Sequence, residues 1–290
     1  MKSSPATSAC LYLVGTPLGN LRDITYRAVE VLQQVGLVAC EDTRHSRKLL
    51  AHYGIKARLI SYHEHNEETA ARQIVSAIES GQAVALISDA GMPGISDPGY
   101  RVVRLAVEHG IQVVPVPGPS ALTAALSASG LPGVPFFFAG FLPPRQKALE
   151  KTLCKLADIE ATLVFYSPAR RIRSVLDTAL RILGNRRAAI CRELTKLHEE
   201  FIRGSLSHLE EILRERETLK GELVLIVEGK TGEEKISSPE LSRRLELFLE
   251  ELGDPSSMGA KTLTALAAER LAQPRNRLYP LVCAYLNRLK

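Results

Sequence analysis

The chain has 290 residues, of which 45% are hydrophobic and 24% charged, and its formal net charge is +5 at pH 7. Its length and composition predict a globular protein of about two domains with enough apolar material for a core. A membrane helix is not expected, because no apolar run approaches the ~20 residues that a span needs. The N-terminus lacks a signal-peptide pattern. Five scattered cysteines without a C-x-x-C pair argue against structural zinc and indicate reduced thiols in a cytoplasmic protein.

Short apolar runs alternate with helical patterns over residues 10–117. Five runs end in turn or charged residues and are typical of strands: CLYLVG, GLVACED, ARLISYH, AVALISD and QVVPVPG. Between them, Gly81 closes one amphipathic helix, and Asp97 followed by Pro98 is expected to open the next. This alternation predicts an α/β domain with a mostly parallel sheet.

A second α/β domain is predicted over residues 118–230. Its apolar runs are FFFAGF, ATLVFYS, RRAAICREL, EEFIRGS and KGELVLIVEG. Because the runs at 188–194 and 200–205 leave no room for a crossover helix, the sheet should be mixed.

The composition changes after residue 229. The polar stretch TGEEKISSPE predicts a linker, and residues 239–290 predict a small helical domain. Two of its helices flank the turn QPRN, which fits a helix-turn-helix or, as we favour, a helical hairpin packed on the main body.

Polar or Gly/Pro-rich loops follow the first four predicted strands. They read GTPLGNLRDIT, CEDTRHSRK, SYHEHNEE and SDAGMPGISDPG. Each loop alone also fits an ordinary turn or a helix cap, which Asp42 or Thr43 would supply. Since parallel strands present their carboxyl ends along one edge, the four loops together predict a cleft for a polar ligand.

The residue types in these loops narrow the chemistry. Neither G-x-G-x-x-G, nor a P-loop, nor G-x-S-x-G occurs, which argues against a dinucleotide site, a P-loop NTPase and a nucleophile elbow. His63 and His65 lack an evident third ligand, so a metal site is not expected, and hydrogen bonding to a polar substrate fits better. Transfer of an already activated group by positioning suits such a cleft.

Six arginines, at positions 170, 171, 173, 181, 186 and 187, stand against one acid, Asp177. Their guanidinium groups fit either a phosphate-binding surface or a solvated helix face.

Eight stretches carry a family resemblance, in this order: GTPLGNLRDIT, ACEDTRHSRKLL, HEHNE, SDAGMPGISDPG, VPGPSALTAALSASGLP, FAGFLP, RELTKLHEE and KGELVLIVEG. They resemble the RsmI family of bacterial 16S rRNA (cytidine-2′-O)-methyltransferases, within the tetrapyrrole methylase superfamily. The resemblance implies two α/β domains of the tetrapyrrole-methylase type, the class III S-adenosylmethionine methyltransferases, with a small C-terminal helical domain. It also implies S-adenosylmethionine as methyl donor, a cytidine at position 1402 of 16S rRNA in the small ribosomal subunit as target, and a homodimer.

The resemblance further implies roles for individual residues. The donor-lining positions are Pro17, Ser88, Asp89, Ala90, Gly91, Ser120, Ala121, Tyr166 and Leu194. The substrate-binding positions are Arg44, His63, His65 and Asn66, and the arginine cluster adds Arg170 and Arg171 as further substrate-binding candidates. A ribose hydroxyl needs a base that accepts its proton during attack, and we assign this role to Asp42, with Glu41 second.

The chain departs from its relatives at two points. Met92 stands where threonine is common, and YSPARR stands where Y-E-S-P-H-R is frequent, so that Arg170 replaces a histidine. The extra arginine favours a phosphate contact.

Two alternatives stay open. One is a small-molecule tetrapyrrole methyltransferase, and the other is an RNA-binding protein that has kept the fold without catalysis. Donor binding distinguishes the second from an enzyme, because a pure RNA-binder does not need the cleft.

Overall fold

The computed structural model describes residues 9–216, 219–230, 238–252, 258–271 and 273–288. The chain forms two compact units, Met1–Lys230 and Thr231–Lys290. The predicted linker begins the second unit, and its residues 231–237 lie outside the described residues. Both predicted α/β domains fall within the first unit, so the three-domain division stays a prediction.

The first sheet is parallel throughout, with five strands in the order β3-β2-β4-β1-β5. The strands are β1 (Leu11–Val14), β2 (Leu37–Cys40), β3 (Arg58–Ser61), β4 (Val84–Ile87) and β5 (Val113–Val116). The connecting helices are α1 (Tyr26–Gln34), α2 (Thr43–His52), α3 (Glu67–Glu79) and α4 (Tyr100–Glu108). Apolar clusters cover both faces, which is why β2 and β4 are buried at every position.

The start of α4 differs from the expectation. The N-cap residue is Gly99 rather than Asp97, and Pro98 precedes the helix instead of lying in its first turn. Gly99 has a φ of 159°, and a Cβ at this position would lie 2.9 Å from the backbone nitrogen of Gly94. The prediction that Asp97 caps α4 is therefore wrong, because the chain closes on itself at Gly99 before the helix begins.

The second sheet is mixed and has the strand order β6-β7-β10-β8-β9. Its strands are β6 (Phe136–Phe141), β7 (Thr162–Pro168), β8 (Arg187–Arg192), β9 (Glu200–Ser205) and β10 (Glu222–Val227). β6 and β7 are parallel, whereas β7, β10, β8 and β9 pair antiparallel in that order. The associated helices are α5 (Ala121–Ala128), α6 (Gln146–Leu156), α7 (Ile172–Leu183) and α8 (Leu206–Arg214).

In the second unit, the described residues form three helices, α9 (Ser238–Glu251), α10 (Ala260–Leu271) and α11 (Arg275–Arg288). They enclose a core of their own that consists of Leu241, Leu245, Leu249, Leu263, Ala267, Leu278 and Val282. Among the helices that the structure describes, none combines the length and apolar character needed to cross a bilayer.

Candidate active site

The loop from Ser88 to Gly99 is fastened to the loop that follows β1. Thr16 and Gly91 exchange two backbone hydrogen bonds, with N···O distances of 2.9 and 3.0 Å. The Thr16 hydroxyl also donates to the carbonyl of Ser88 at 3.0 Å. Gly91 has a φ of 86°, a left-handed conformation that glycine adopts without strain. The loop therefore crosses the carboxyl ends of the first sheet before it enters α4.

The residues after β1 and β5 approach each other at two glycines. A Cβ on Gly15 would lie 2.8 Å from the Cα of Gly118, and a Cβ on Gly118 would lie 2.9 Å from the Cα of Gly15. Real Cβ atoms do not tolerate such distances to backbone. This contact places Ser120 and Ala121, at the start of α5, next to the loops of the first sheet.

A cavity of about 310 Å³ lies between the two sheets. This volume is at the lower end of the range for small-molecule sites. One wall is apolar and is built by Leu18, Leu194 and Val224. Tyr166 also lines it, with Phe138 and Phe141 edge-on at 4.9 and 5.4 Å between ring centroids. This wall suits the flat face of an aromatic ligand.

Another part of the cavity wall is acidic. Glu41, Asp89 and Asp97 line it from the loops after β2 and β4. Burial, reinforced by the negative charge of Asp89, raises the pKa of Glu41. Burial and the charge of Glu41 raise the pKa of Asp97 to about 6, although a hydrogen bond with Ser88 opposes the shift. Asp97 can therefore exchange a proton near pH 6, and Glu41 binds a proton more tightly than a free glutamate does.

A second cavity of about 480 Å³ adjoins the first. Five residues line both cavities: Leu18, Asp89, Ala90, Lys196 and Glu222. The other lining residues come from the loop after β1 and from α2, and they include His45 and Lys48. The arrangement can hold two neighbouring ligands, and the five shared residues form a wall common to both cavities.

The family model of the tetrapyrrole (corrin/porphyrin) methylases matches residues 10–210. The chain belongs to this family. The predicted fold class is thereby confirmed: two α/β sheets of the tetrapyrrole-methylase type, accompanied by helices. Membership implies a methyl-donor cofactor.

Relatives of known name are similar over most of the chain. A ribosomal RNA small subunit methyltransferase I from Xylella fastidiosa is 45% identical over 276 residues, which cover 94% of this chain and 99% of the relative. The protein of the same name from Escherichia coli O157:H7 is 43% identical and covers 96% of each chain. That from Halalkalibacterium halodurans is 50% identical over 76% of this chain and 75% of the relative. The resemblance drawn from the eight sequence stretches is confirmed.

Among solved structures, a cobalamin biosynthetic enzyme, cobalt precorrin-4 methyltransferase, superposes with a TM-score of 0.58. The match covers 78% of this chain and 98% of that chain at 16% identity. It shows a common fold.

Most of the predicted donor positions surround the first cavity. Asp89, Ala90, Gly91, Ser120, Ala121, Tyr166 and Leu194 line it. Ser88 lies beneath it, buried, with its hydroxyl donating to the Gly91 carbonyl at 3.2 Å. Pro17 lines the second cavity instead.

Asp42 and Arg44 bind each other. The Asp42 carboxylate accepts hydrogen bonds from the Arg44 backbone N–H at 2.8 Å and from the Arg44 guanidinium at 3.0 and 3.2 Å. It is the N-cap of α2, and these bonds lower its pKa to about 2. The contacts of Asp42 are thus those of a helix cap. Its neighbour Glu41, in contrast, lines the first cavity.

Asn66 organises the loop after β3. Its side-chain oxygen accepts from the His63 backbone N–H at 2.8 Å, and its amide donates to the Ser61 carbonyl at 3.0 Å. The rings of His63 and His65 are edge to face at 5.9 Å. The positive form of His63 lowers the pKa of Glu41, so this loop lies beside the acidic wall. Within the described ranges, no three His, Cys, Asp or Glu side chains are grouped as metal ligands are.

The arginine cluster is largely part of the fold. Arg171 donates to the carbonyls of Leu142 and Pro143 at 3.0 and 2.5 Å. The remaining tethered members are Arg173 with the Arg216 carbonyl, Arg181 with Glu150, Arg186 with the Leu183 carbonyl, and Arg187 with the Gly130 carbonyl. Arg170 is exposed and has no partner in the part of the chain that the structure describes. The contacts thus leave Arg170 free for a phosphate and engage Arg171 elsewhere.

Sequence reasoning missed four charged residues of the cavity: Asp97, Glu193, Lys196 and Glu222. Asp97 was interpreted as a helix cap. Lys196 and Glu193 stand in the quoted stretch RELTKLHEE, and Glu222 stands in KGELVLIVEG, so the motifs contained them. Their position in the cavity required the pairing of β8 with β10.

Proposed function

We propose that the chain transfers the methyl group of S-adenosylmethionine to the ribose 2′-hydroxyl of a cytidine in 16S rRNA of the small ribosomal subunit. The observation that carries the proposal is the cavity between the two sheets, because seven of the nine predicted donor positions line it. The names of the relatives support ribosomal RNA as the substrate. An rRNA substrate would place the protein in the cytoplasm.

The residues of the first cavity fit this donor. When bound, S-adenosylmethionine supplies an electrophilic methyl group. The apolar wall around Leu194 and Tyr166 suits its adenine ring, and the acidic wall suits its ribose hydroxyls and its ammonium group. Burial disfavours the ionised forms of Glu41 and Asp97, and the positive charge of the bound donor would favour them.

The proton of the attacking hydroxyl needs an acceptor within the cavity. Asp42 is a weak candidate, since Arg44 occupies both of its carboxylate oxygens and its pKa is about 2. Glu41 and Asp97 face the cavity, and both have a raised pKa. We therefore place the base at Glu41, the second of our two sequence-based choices, with Asp97 beside it.

The test is methyl transfer to the ribosomal particle. The purified protein is incubated with methyl-labelled S-adenosylmethionine and 30S subunits from a strain that lacks the modification, and the label is mapped by mass spectrometry. We expect label on the ribose of one decoding-site cytidine, and none on subunits that already carry the methyl group. Donor binding without label would favour a small tetrapyrrole substrate, while loss of both would favour an RNA-binding protein.

We also propose that the chain acts as a homodimer. The segment that leads into edge strand β6 exposes Val134 by 85%, and Phe136 and Phe137 are partly exposed as well. α4 exposes Tyr100 and Val107. Exposed apolar side chains of this number are typical of association surfaces. Sedimentation equilibrium at micromolar concentration should give twice the mass of the chain, and a monomer mass would contradict the proposal.

A further inference from the structure

The second cavity differs from the first in its charge. His45 and Lys48 line it from one face of α2, and Lys196 lines it from the segment between β8 and β9. Within the described residues, the side chains of His45 and Lys48 have no hydrogen-bond or ion-pair partner. Both are exposed toward solvent, so they can meet an anionic ligand without breaking an existing contact.

The second cavity also has apolar lining residues. They are Pro17, Leu18, Leu21 and Leu49. A lining that combines cations with apolar side chains fits a ligand that has a flat base at one end and a phosphate at the other. A nucleotide has both features.

The wall shared by the two cavities determines which atoms of the ligands can meet. Asp89, Ala90 and Lys196 belong to both linings. A ligand in the second cavity and a ligand in the first can therefore lie next to each other along these residues. For group transfer by positioning, the acceptor has to lie in this kind of contact with the donor.

Lys196 is held at the boundary between the cavities. Its ammonium lies 3.1 Å from Glu193 and 3.9 Å from Glu222. Its stem packs so closely on Gly19 that a Cβ there would lie 2.3 Å from the Lys196 Cγ. The chain around it has left-handed conformations at Glu193 and Thr195, with φ of 51° and 65°. Such strain at non-glycine residues is typical of functional segments.

We propose that the second cavity receives the target nucleotide of the RNA, turned out of any helix, with Lys48 and His45 at its phosphates and its ribose against the shared wall. This inference rests on the proposed function and deepens it. A nucleotide that is paired and stacked in a duplex cannot enter a cavity, so the substrate has to be single-stranded or have its nucleotide flipped. Lys48 and His45 stand in the stretch CEDTRHSRK, and they are thus substrate-binding residues to which the motif alone gave no such role.

Two neighbouring residues of α2 supply a matched pair of variants. Lys48 lines the second cavity, whereas Arg47 lines a separate cavity of about 220 Å³ with Ile55 and Leu59. Both are exposed, so neither substitution to alanine should disturb folding, which thermal melting checks. Each substitution removes one positive charge. Lys48→Ala removes it from the second cavity, and Arg47→Ala removes it from the separate one.

We expect Lys48→Ala to raise the KM for 30S subunits about 5- to 10-fold and Lys48→Glu to raise it further, with an unchanged Kd for S-adenosylmethionine. The slope of log KM against log salt should fall by about one for Lys48→Ala. Arg47→Ala should match the wild type in all of these. If the Lys48→Ala and Arg47→Ala variants have the same KM and the same salt dependence while the wild type is active, this inference is wrong and the proposed function is unaffected.

Two further outcomes separate the other possibilities. A wild-type protein that binds the donor but leaves 30S subunits unlabelled would overturn the proposed function, and this inference with it. Cytidine monophosphate, used as a competitor, should inhibit the wild type more than Lys48→Ala. Equal inhibition of both would contradict the phosphate contact.

Discussion

Three hydrogen bonds join the carboxyl group of Asp42 to Arg44, one to the backbone and two to the guanidinium. They keep the group ionised, with a pKa of about 2, and they start helix α2. A carboxylate of this kind is well suited to hold a helix end and an arginine in place. Glu41, one residue earlier, has a raised pKa because it is buried near Asp89.

Substitution of the two neighbouring carboxylates should therefore have different results. Asp42→Asn should retain most of the turnover and a melting temperature close to that of the wild type, since asparagine also caps helices well. Glu41→Gln should lower kcat by about 10²-fold or more if Glu41 accepts the proton. Steady-state kinetics with 30S subunits measures both. A large loss of kcat in Asp42→Asn with normal Glu41→Gln would return the role to Asp42.

Asp97 provides a pH-dependent prediction. Its pKa is raised from 3.8 to about 6, so the folded state binds its proton more tightly than the unfolded state. The resulting stability is present below about pH 4 and is lost as the pH rises to about 6. Asparagine carries no titrating proton, so the Asp97→Asn variant should not lose stability as the pH rises. At pH 8 its free energy of unfolding should be higher than that of the wild type by about 2 kcal/mol.

Urea denaturation at pH 4 and pH 8 measures this difference. At pH 4 the variant should exceed the wild type by less than about 1 kcal/mol, because Asp97 is then protonated in the folded state and only about half ionised in the unfolded state. An equal offset at both pH values would show that the carboxyl charge is not the cause. The variant should lose activity despite its greater stability. Functional sites often contain charged groups whose burial destabilises the fold, so that removing the charge stabilises the protein and impairs its function.

At the scale of elements, two glycines bring the ends of β1 and β5 together. Gly118→Ala would place its Cβ 2.9 Å from the Gly15 Cα, in backbone that cannot move aside cheaply. We expect a loss of about 1–3 kcal/mol in unfolding free energy. Donor affinity should also fall, because Ser120 and Ala121, which line the first cavity, follow two and three residues later. Gly133→Ala is the control, since nothing lies within 4 Å of its Cβ position.

Denaturant unfolding and isothermal titration with S-adenosylmethionine measure the two effects. If Gly118→Ala binds the donor as the wild type does, the glycine contact stabilises the fold without shaping the cavity.

The strands and helices themselves were predictable from the chain. Apolar runs and their turn residues indicated all five strands of the first sheet, because a buried strand and its end signals are contiguous. The start of α4 was not predictable, since Asp97 and Gly99 both fit a cap. The close approach of Gly99 to Gly94 decided between them.

At the scale of the whole molecule, every residue that lines the two cavities lies within Met1–Lys230. The helices of Thr231–Lys290 have a separate core. A fragment of residues 1–230 should therefore fold and bind S-adenosylmethionine with a Kd within about 3-fold of the full chain. Circular dichroism and titration of the fragment check this, with the full chain as control. An unfolded fragment would show that the first unit depends on the second.

The sequence by itself determined the family, the alternating order of strands and helices, and the loops that form the site, because these features are encoded in contiguous stretches. Only the tertiary structure decided which of the charged residues share a cavity. Arg171 is tethered to carbonyls 28 and 29 positions away, and Lys196 adjoins the loop at Gly19. A charged side chain binds a ligand only if no other group of the protein already pairs with it. Which groups lie near it in space depends on how distant strands pair, and this is not encoded in any contiguous stretch.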